Sequence, residues 1–299
     1  MKFCANLSFM FAESASLPER YQLAKAAGFK VVESGFPVGC TIDEVRDAKE
    51  KAGVQQILIN LYTGNTAKGE LGVTFKPGKE AEFRKNLATT IDYAKALKCS
   101  KLHVMAGNID EERSNEHWTT YEANLKYAAE QLKDAGLVGL IEPINKYSVP
   151  KYFMNSFDKA LEIIKRIDSP NLRLMLDVFH LQQIRGDIIA QVPKRNEPNT
   201  PGEIDYRFVL ECLRENGYTD YIGLEYTPVK GSKEGLGWIQ EITKQVKILI
   251  LTDITILFLY IYVTSWMVVV FQSKNIYEFS ELCGDTYNAP RAVAHTNQT

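Results

Sequence analysis

A single (β/α)8 barrel is the fold this sequence predicts, and three observations predict it. Short apolar runs alternate with helical segments through about residue 245, eight runs in all. Most of these runs are continuously apolar, the pattern of parallel strands covered on both faces, and not the polar/apolar alternation of a half-exposed sheet. No GxGxxG or GxxxxGK[ST] loop follows any of them, so the phosphate cradle of an open nucleotide-binding sheet is missing and no nucleotide cofactor is expected.

The predicted strands are 3–8, 31–36, Gln55–Asn60, 101–106, 138–143, 172–179, 188–193 and 221–226. The first has a charged Lys2 before it and small residues after it, loosely like a cleaved leader, but Asn6 and Ser8 interrupt the run at alternate positions, as a strand would. Ser16-Leu17-Pro18-Glu19 and Thr41-Ile42-Asp43-Glu44 both fit a capping box, which opens a helix. Phe83, Leu87, Ile91 and Ala94 recur at helical spacing, as do Ala128, Leu132 and Ala135, and each stripe predicts a helix face turned to the sheet.

Two stretches break the pattern. Only 180–187 separate the sixth and seventh predicted strands, with no apolar helical stripe, whereas a parallel crossover needs about ten to twelve residues or more. Either the seventh strand is displaced, or a helix and part of a strand are missing and the barrel is incomplete around strands six to seven. The second break is the run ILILTDITILFLYIYVTSWMVVVF at 248–271, apolar but for Asp253 and a few hydroxyls. Its length meets the requirement of about 20 residues for a membrane-spanning helix. Its β-branched and aromatic composition fits a non-native extension equally well. The expected organisation is a barrel domain at 1–246, an apolar segment at 247–272 that is helical and a candidate for membrane contact, and a disordered polar tail at 273–299.

Composition narrows the function. The chain has 299 residues, 45% of them hydrophobic, with a net charge of −2 and no basic footprint for nucleic acid. Five scattered cysteines without a CxxC pair read as thiols of a reduced, cytoplasmic protein, with membrane association through 248–271 as the alternative. Four dispersed histidines are too few for a histidine-built metal cluster. Nothing in the sequence specifies an oligomeric state.

Chemistry in such a barrel sits at the C-terminal strand ends. Glu142, Asp177 and Glu225 each close an apolar run there, where an unpaired carboxylate is costly without a metal or hydrogen-bonding partner. One alone reads as readily as a salt bridge to a loop lysine. Three converging on one mouth offer oxygen ligands to a hard divalent cation. Two glutamates flanking such a cation supply the base, the acid and the electrophile that a proton shift beside a carbonyl requires. Glu33 and His103 also lie at strand ends and are expected to line or support the pocket. Asn60 and Lys68-Gly-Glu70 are candidates for a loop over it.

Ordered along the chain stand Asn6-Leu7-Ser8, Ile59-Asn60, Lys68-Gly-Glu70-Leu-Gly72, Leu102-His103-Val-Met-Ala-Gly107, Glu142-Pro-Ile-Asn145, Asp177-Val-Phe-His180, Ala190-Gln-Val-Pro193, Glu197-Pro198 and Gly223-Leu-Glu225-Tyr226. In this ordered set, residues 1 to about 243 resemble the hydroxypyruvate isomerases, a branch of the xylose-isomerase-like barrels. The resemblance implies a small-molecule substrate, hydroxypyruvate, interconverted with tartronate semialdehyde. It implies Glu142 and Glu225 as the catalytic proton donor and acceptor, and a divalent metal, Mg2+ or Mn2+, held by Glu142, Asp177 and Glu225. His180 and Arg195 match substrate-contacting positions. His180 serves equally well as a group that orients Asp177. Arg195 suits a carboxylate-bearing substrate through bidentate contact, with a solvated surface arginine as the plainer alternative.

The chain departs from that pattern where the crossover is short. The alignment puts Ile188 at the expected strand-seven ligand position, where it cannot coordinate a cation, and leaves Gln191 as a candidate substitute. An internal gap plus an unrelated end is the pattern of an alternatively spliced or misassembled transcript. The competing expectations are an isomerase or epimerase of a longer ketose, and a non-catalytic, membrane-associated isoform whose barrel does not close. A zinc endonuclease of the same barrel group would need many strand-end histidines and a basic groove.

Overall fold

Apolar runs that need cover on both faces, joined by amphipathic helices, are satisfied by a ring of strands inside a ring of helices. The computed structural model describes residues 1–64, 68–185, 204, 206–228, 231–239 and 267–270. The strands are β1 (Lys2–Asn6), β2 (Val31–Ser34), β3 (Gln55–Asn60), β4 (Lys101–His103), β5 (Val138–Ile141), β6 (Leu172–Asp177), β7 (Tyr221–Leu224) and β8 (Met267–Val270). They close into a barrel in the order β1-β2-β3-β4-β5-β6-β8-β7. The helices are α1 (Leu17–Ala26), α2 (Ile42–Ala52), α3 (Glu80–Ala96), α4 (Asn115–Asp134), α5 (Phe157–Ile167), α6 (Val178–Arg185) and α7 (Tyr206–Glu215).

Where the sequence predicts an incomplete barrel, the ring is closed by an unexpected strand. The first seven strands pair in parallel, and β8 lies antiparallel between β6 and β7, with Met175 opposite Val270 and Ile222 opposite Val269. Unpaired edges on β6 and β7 would leave rows of backbone N–H and C=O groups without partners, and a valine-rich segment suits the pleated ladder that satisfies both. Residues 267–270 of the apolar run are thus strand and not helix. The rest of that run, the polar tail, and Ile188, Gln191 and Arg195 lie outside the described residues. Among the described residues no helix is long and apolar enough to cross a membrane.

Local signals explain most of the element boundaries. Thr41 caps α2 through a reciprocal bond with Glu44, as its capping box predicts. Ser16 makes no such bond, because Glu19 is taken by the hydroxyl of Ser14. Residues 178–185, which carry no apolar stripe, are nevertheless helical, and the sixth strand therefore stops at Asp177 and not at 179. The Asp177 carboxylate accepts from the backbone N–H of Phe179 (2.7 Å) and His180 (3.1 Å), which gives α6 its start.

Inside the barrel, Cys4, Leu58, Leu140 and Met175 form a small cluster apart from the main core, edged by Val31, Val138 and Tyr221. The two-residue period of each strand puts Asn6, Glu142, Asp177 and Glu225 one step above that layer, at the C-terminal mouth. On the floor below, buried Lys101 reaches across to Asp220 at 2.7 Å. The loops after β3 and β4 meet at Gly107 (φ +108°), where a Cβ would lie 2.1 Å from the carbonyl oxygen of Gly72, so only glycine fits.

Removing the ammonium from the floor strands a largely buried carboxylate. Lys101→Met is expected to cost about 3 kcal/mol in urea unfolding, the lower end for breaking a buried pair because Asp220 keeps some exposure. A loss below about 0.5 kcal/mol, the range of exposed pairs, would show that the ion pair does not hold the floor.

Candidate functional site

The mouth collects carboxylates from successive strand ends. Glu142 follows β5 directly and is buried, with one oxygen 3.7 Å from Nδ1 of buried His103. Asp177 ends β6 and is fully buried. Its Oδ1 caps α6, while its Oδ2 has no hydrogen-bond partner among the described residues and lies 3.7 Å from His180 Nε2. Glu225 follows β7, half-buried, and accepts a bond from Asn6 Nδ2 at 3.1 Å.

His180 has a defined orientation because of Asn145. The Asn145 side-chain oxygen accepts from the backbone N–H groups of Tyr147 and Ser148, both at 2.9 Å, which turns its amide nitrogen to His180 Nδ1 at 2.7 Å. The backbone N–H of Asn145 also donates to Nδ1, at 3.2 Å. Nδ1 is therefore the acceptor, and the Nε2 side of the ring faces Asp177. One loop, Glu142-Pro-Ile-Asn145, thus carries a carboxylate of the mouth and the group that aims its neighbour.

These charges sit in a dry environment that resists them. Burial, then the fields of Asp177, Glu225 and Glu33, raises the Glu142 carboxyl well above its usual range. Burial followed by Asp177 and Glu33 does the same to Glu225. Burial lifts Asp177 and Glu33 each to about 7. His103 and His180 are pushed down to about 3 by burial and stay neutral, His180 also feeling His103.

A cation fits this donor set. Donor atoms of Glu142, Asp177 and His180 lie within 4.8 Å of one another. Asp177 Oδ2 is an orphaned buried acceptor, and every charged neighbour acting on Glu142 is another carboxylate. Of the residues the sequence singles out, Glu142, Asp177, His180 and Glu225 come together at the mouth, and Glu33 and His103 lie beside them. The cluster of three brings in His180, which the sequence reading sets aside for substrate, while Glu225 stands across from it against β1. Asn145 and the bridging role of Asn6 escape sequence reading, since each is visible only as part of a short word.

The description xylose isomerase-like TIM barrel matches residues 21–242. A Drosophila melanogaster protein provisionally named hydroxypyruvate isomerase is 42% identical over 259 residues, 81% of this chain and 98% of its own. A 2-oxo-tetronate isomerase of Cupriavidus necator is 37% identical over 256 residues, 80% of this chain and 97% of its own. Among solved structures, a Brucella melitensis protein titled AP endonuclease, family 2, superposes with a TM-score of 0.75 at 34% identity, covering 80% of this chain and 98% of that one.

The raised carboxyls set the pH response of the metal-free fold. Each binds its proton more tightly folded than unfolded, so its stabilisation is complete below the unfolded pKa and is lost as pH rises through the folded one. For Glu33 that window runs from 4.5 to about 7. The histidines act in the opposite sense, but only below their unfolded value of 6.5. From about pH 6.5, where the histidine effect ends, through about 7 the carboxyls therefore dominate, and Tm in chelator is expected to fall across that interval. Mn2+ added at the upper pH should recover most of that fall; a Tm that ignores both pH and cation would contradict this account.

Proposed function

The chain belongs to the xylose isomerase-like TIM barrel family and is an isomerase, and from that premise we propose that it interconverts hydroxypyruvate and tartronate semialdehyde (2-hydroxy-3-oxopropanoate). The observation that carries this reading is the pair Glu142 and Glu225, two strand-end carboxyls near enough to act on each other, each raised well above its usual range first by burial. Asp177 acts on both, so the pair titrates as a coupled set.

One glutamate, as carboxylate, takes a proton from C3 of hydroxypyruvate, and the C3–H electron pair becomes the C2–C3 double bond of an enediolate. The other returns a proton to C2, while the hydroxyl proton passes from the C3 oxygen to the C2 oxygen. No electrons are gained or lost, and the reverse direction exchanges the roles. Glu142 and Asp177, with Glu225 across the mouth, are the groups that would hold a divalent cation, while His180, its Nδ1 taken by Asn145, would present Nε2–H beside them. Carboxylate oxygens of this kind suit Mg2+ or Mn2+. Such a cation would polarise the substrate oxygens and stabilise enediolate charge.

A second substrate, a four-carbon 2-oxo sugar acid, is favoured by the likeness to the 2-oxo-tetronate isomerase. Both substrates present the same hydroxy-carbonyl beside a carboxylate and need the same pair of glutamates. Two neutral histidines and an acidic mouth give no support to binding a nucleic acid.

Turnover measured on hydroxypyruvate beside 2-oxo-tetronate and a panel of ketoses tests the reading. Hydroxypyruvate is expected to be the preferred substrate, with Glu142→Gln and Glu225→Gln each lowering kcat by about 10²–10⁴. Higher kcat/KM on a ketose without a carboxylate, or variants equal to the unaltered chain, would overturn it.

A further inference from the structure

We propose that Asn6 is the positioning residue for Glu225, anchored from behind by Glu33, so that three strands fix the orientation of one reacting carboxylate. The proposal rests on the reading of Glu225 as a proton-transfer group. Its geometry does not. Asn6 stands directly opposite Glu33 in the β1–β2 ladder. The β1–β7 ladder runs to Ala5 opposite Leu224, which brings the next residues, Asn6 and Glu225, side by side.

The amide of Asn6 is used completely. Its side-chain oxygen accepts from the backbone N–H of Ser8 at 2.9 Å, which fixes which end carries the hydrogens. Nδ2 then donates to Glu33 Oε1 and to Glu225 Oε2, each at 3.1 Å. Two hydrogens meet two carboxyl groups. Among the side chains of this size, an aspartate would have no hydrogen to give, and a serine would have one.

Glu33 is an anchor and not a second reacting group. It is 1% exposed, below the mouth, with the Cys4 thiol 3.8 Å from its other oxygen. The barrel makes room for it at Gly223, where a Cβ would stand 2.5 Å from Glu33 Oε1. A glycine two residues before Glu225, on the same inward-facing row of β7, therefore lets a glutamate from β2 reach the amide that holds Glu225. The clamp commits Oε2 of Glu225 and leaves Oε1 for the migrating proton. Partners that orient a reacting or ligating carboxylate in this way are worth about 10–100-fold when removed.

The test joins a spectroscopic reading, independent of turnover, with a kinetic one. In 15N-labelled protein the side-chain NH2 pair of Asn6, assigned through contacts to the Ser8 amide and by its loss in Asn6→Asp, is expected to show two downfield protons protected from solvent exchange. Glu225→Gln should shift one proton of the pair and Glu33→Gln the other. Asn6→Asp should lower kcat about 10–100-fold with KM within about twofold. An Asn6 pair at ordinary shift in rapid exchange, or an Asn6→Asp enzyme with full kcat, or one whose loss lies only in KM or Tm, overturns the clamp. If the unaltered chain turns over none of the panel substrates, the functional reading fails by itself, and the spectrum of the unaltered chain still decides whether the clamp exists.

Discussion

Taking carboxylates out of water is the cost around which this molecule is arranged. Four of them, Glu33, Glu142, Asp177 and Glu225, gather within one barrel, and burial raises every one. No arrangement of apolar staves would tolerate them all ionised and bare. The barrel provides partial answers instead: a double amide from Asn6 and two backbone N–H groups on Asp177. What these leave unanswered, above all the orphaned Oδ2 of Asp177, is the acceptor capacity that a cation and substrate would use.

The supports of the site double as supports of the fold. Asp177 starts α6 with one oxygen and faces the mouth with the other. Asn145 closes the turn after β5 and aims the His180 ring in the same stroke. Glycine at 223 loosens β7 by one side chain and admits Glu33. Asp177 and Gly223 place these devices by strand register, and Asn145 adds the order of the turn after β5.

Much of this was legible along the chain. Carboxylates at the ends of apolar runs marked Glu142, Asp177 and Glu225, because a charge there is too costly to be incidental. Continuous apolar runs likewise marked the parallel staves. The Asn6–Glu33–Glu225 contact was not legible, since it joins residues 27 and 219 positions apart and exists only once strand register is known. Helix α6 was missed because its start is set by one carboxylate and not by an apolar stripe. The closing strand at Met267–Val270 was missed because an apolar, β-branched run satisfies the pattern of a buried helix and a buried strand alike.

That closing strand also orders events in time. A ribosome delivers the chain from its N-terminus, so every stave through Leu224 is available well before Met267–Val270 is made. Until then β6 and β7 carry open edges, and the slot between them is bordered by the strands that bear Asp177 and Glu225. The pairing that covers both edges joins residues about 90 and 45 positions apart, the long-range kind that forms slowly. Ring closure in this chain therefore waits on the strand made last among those described.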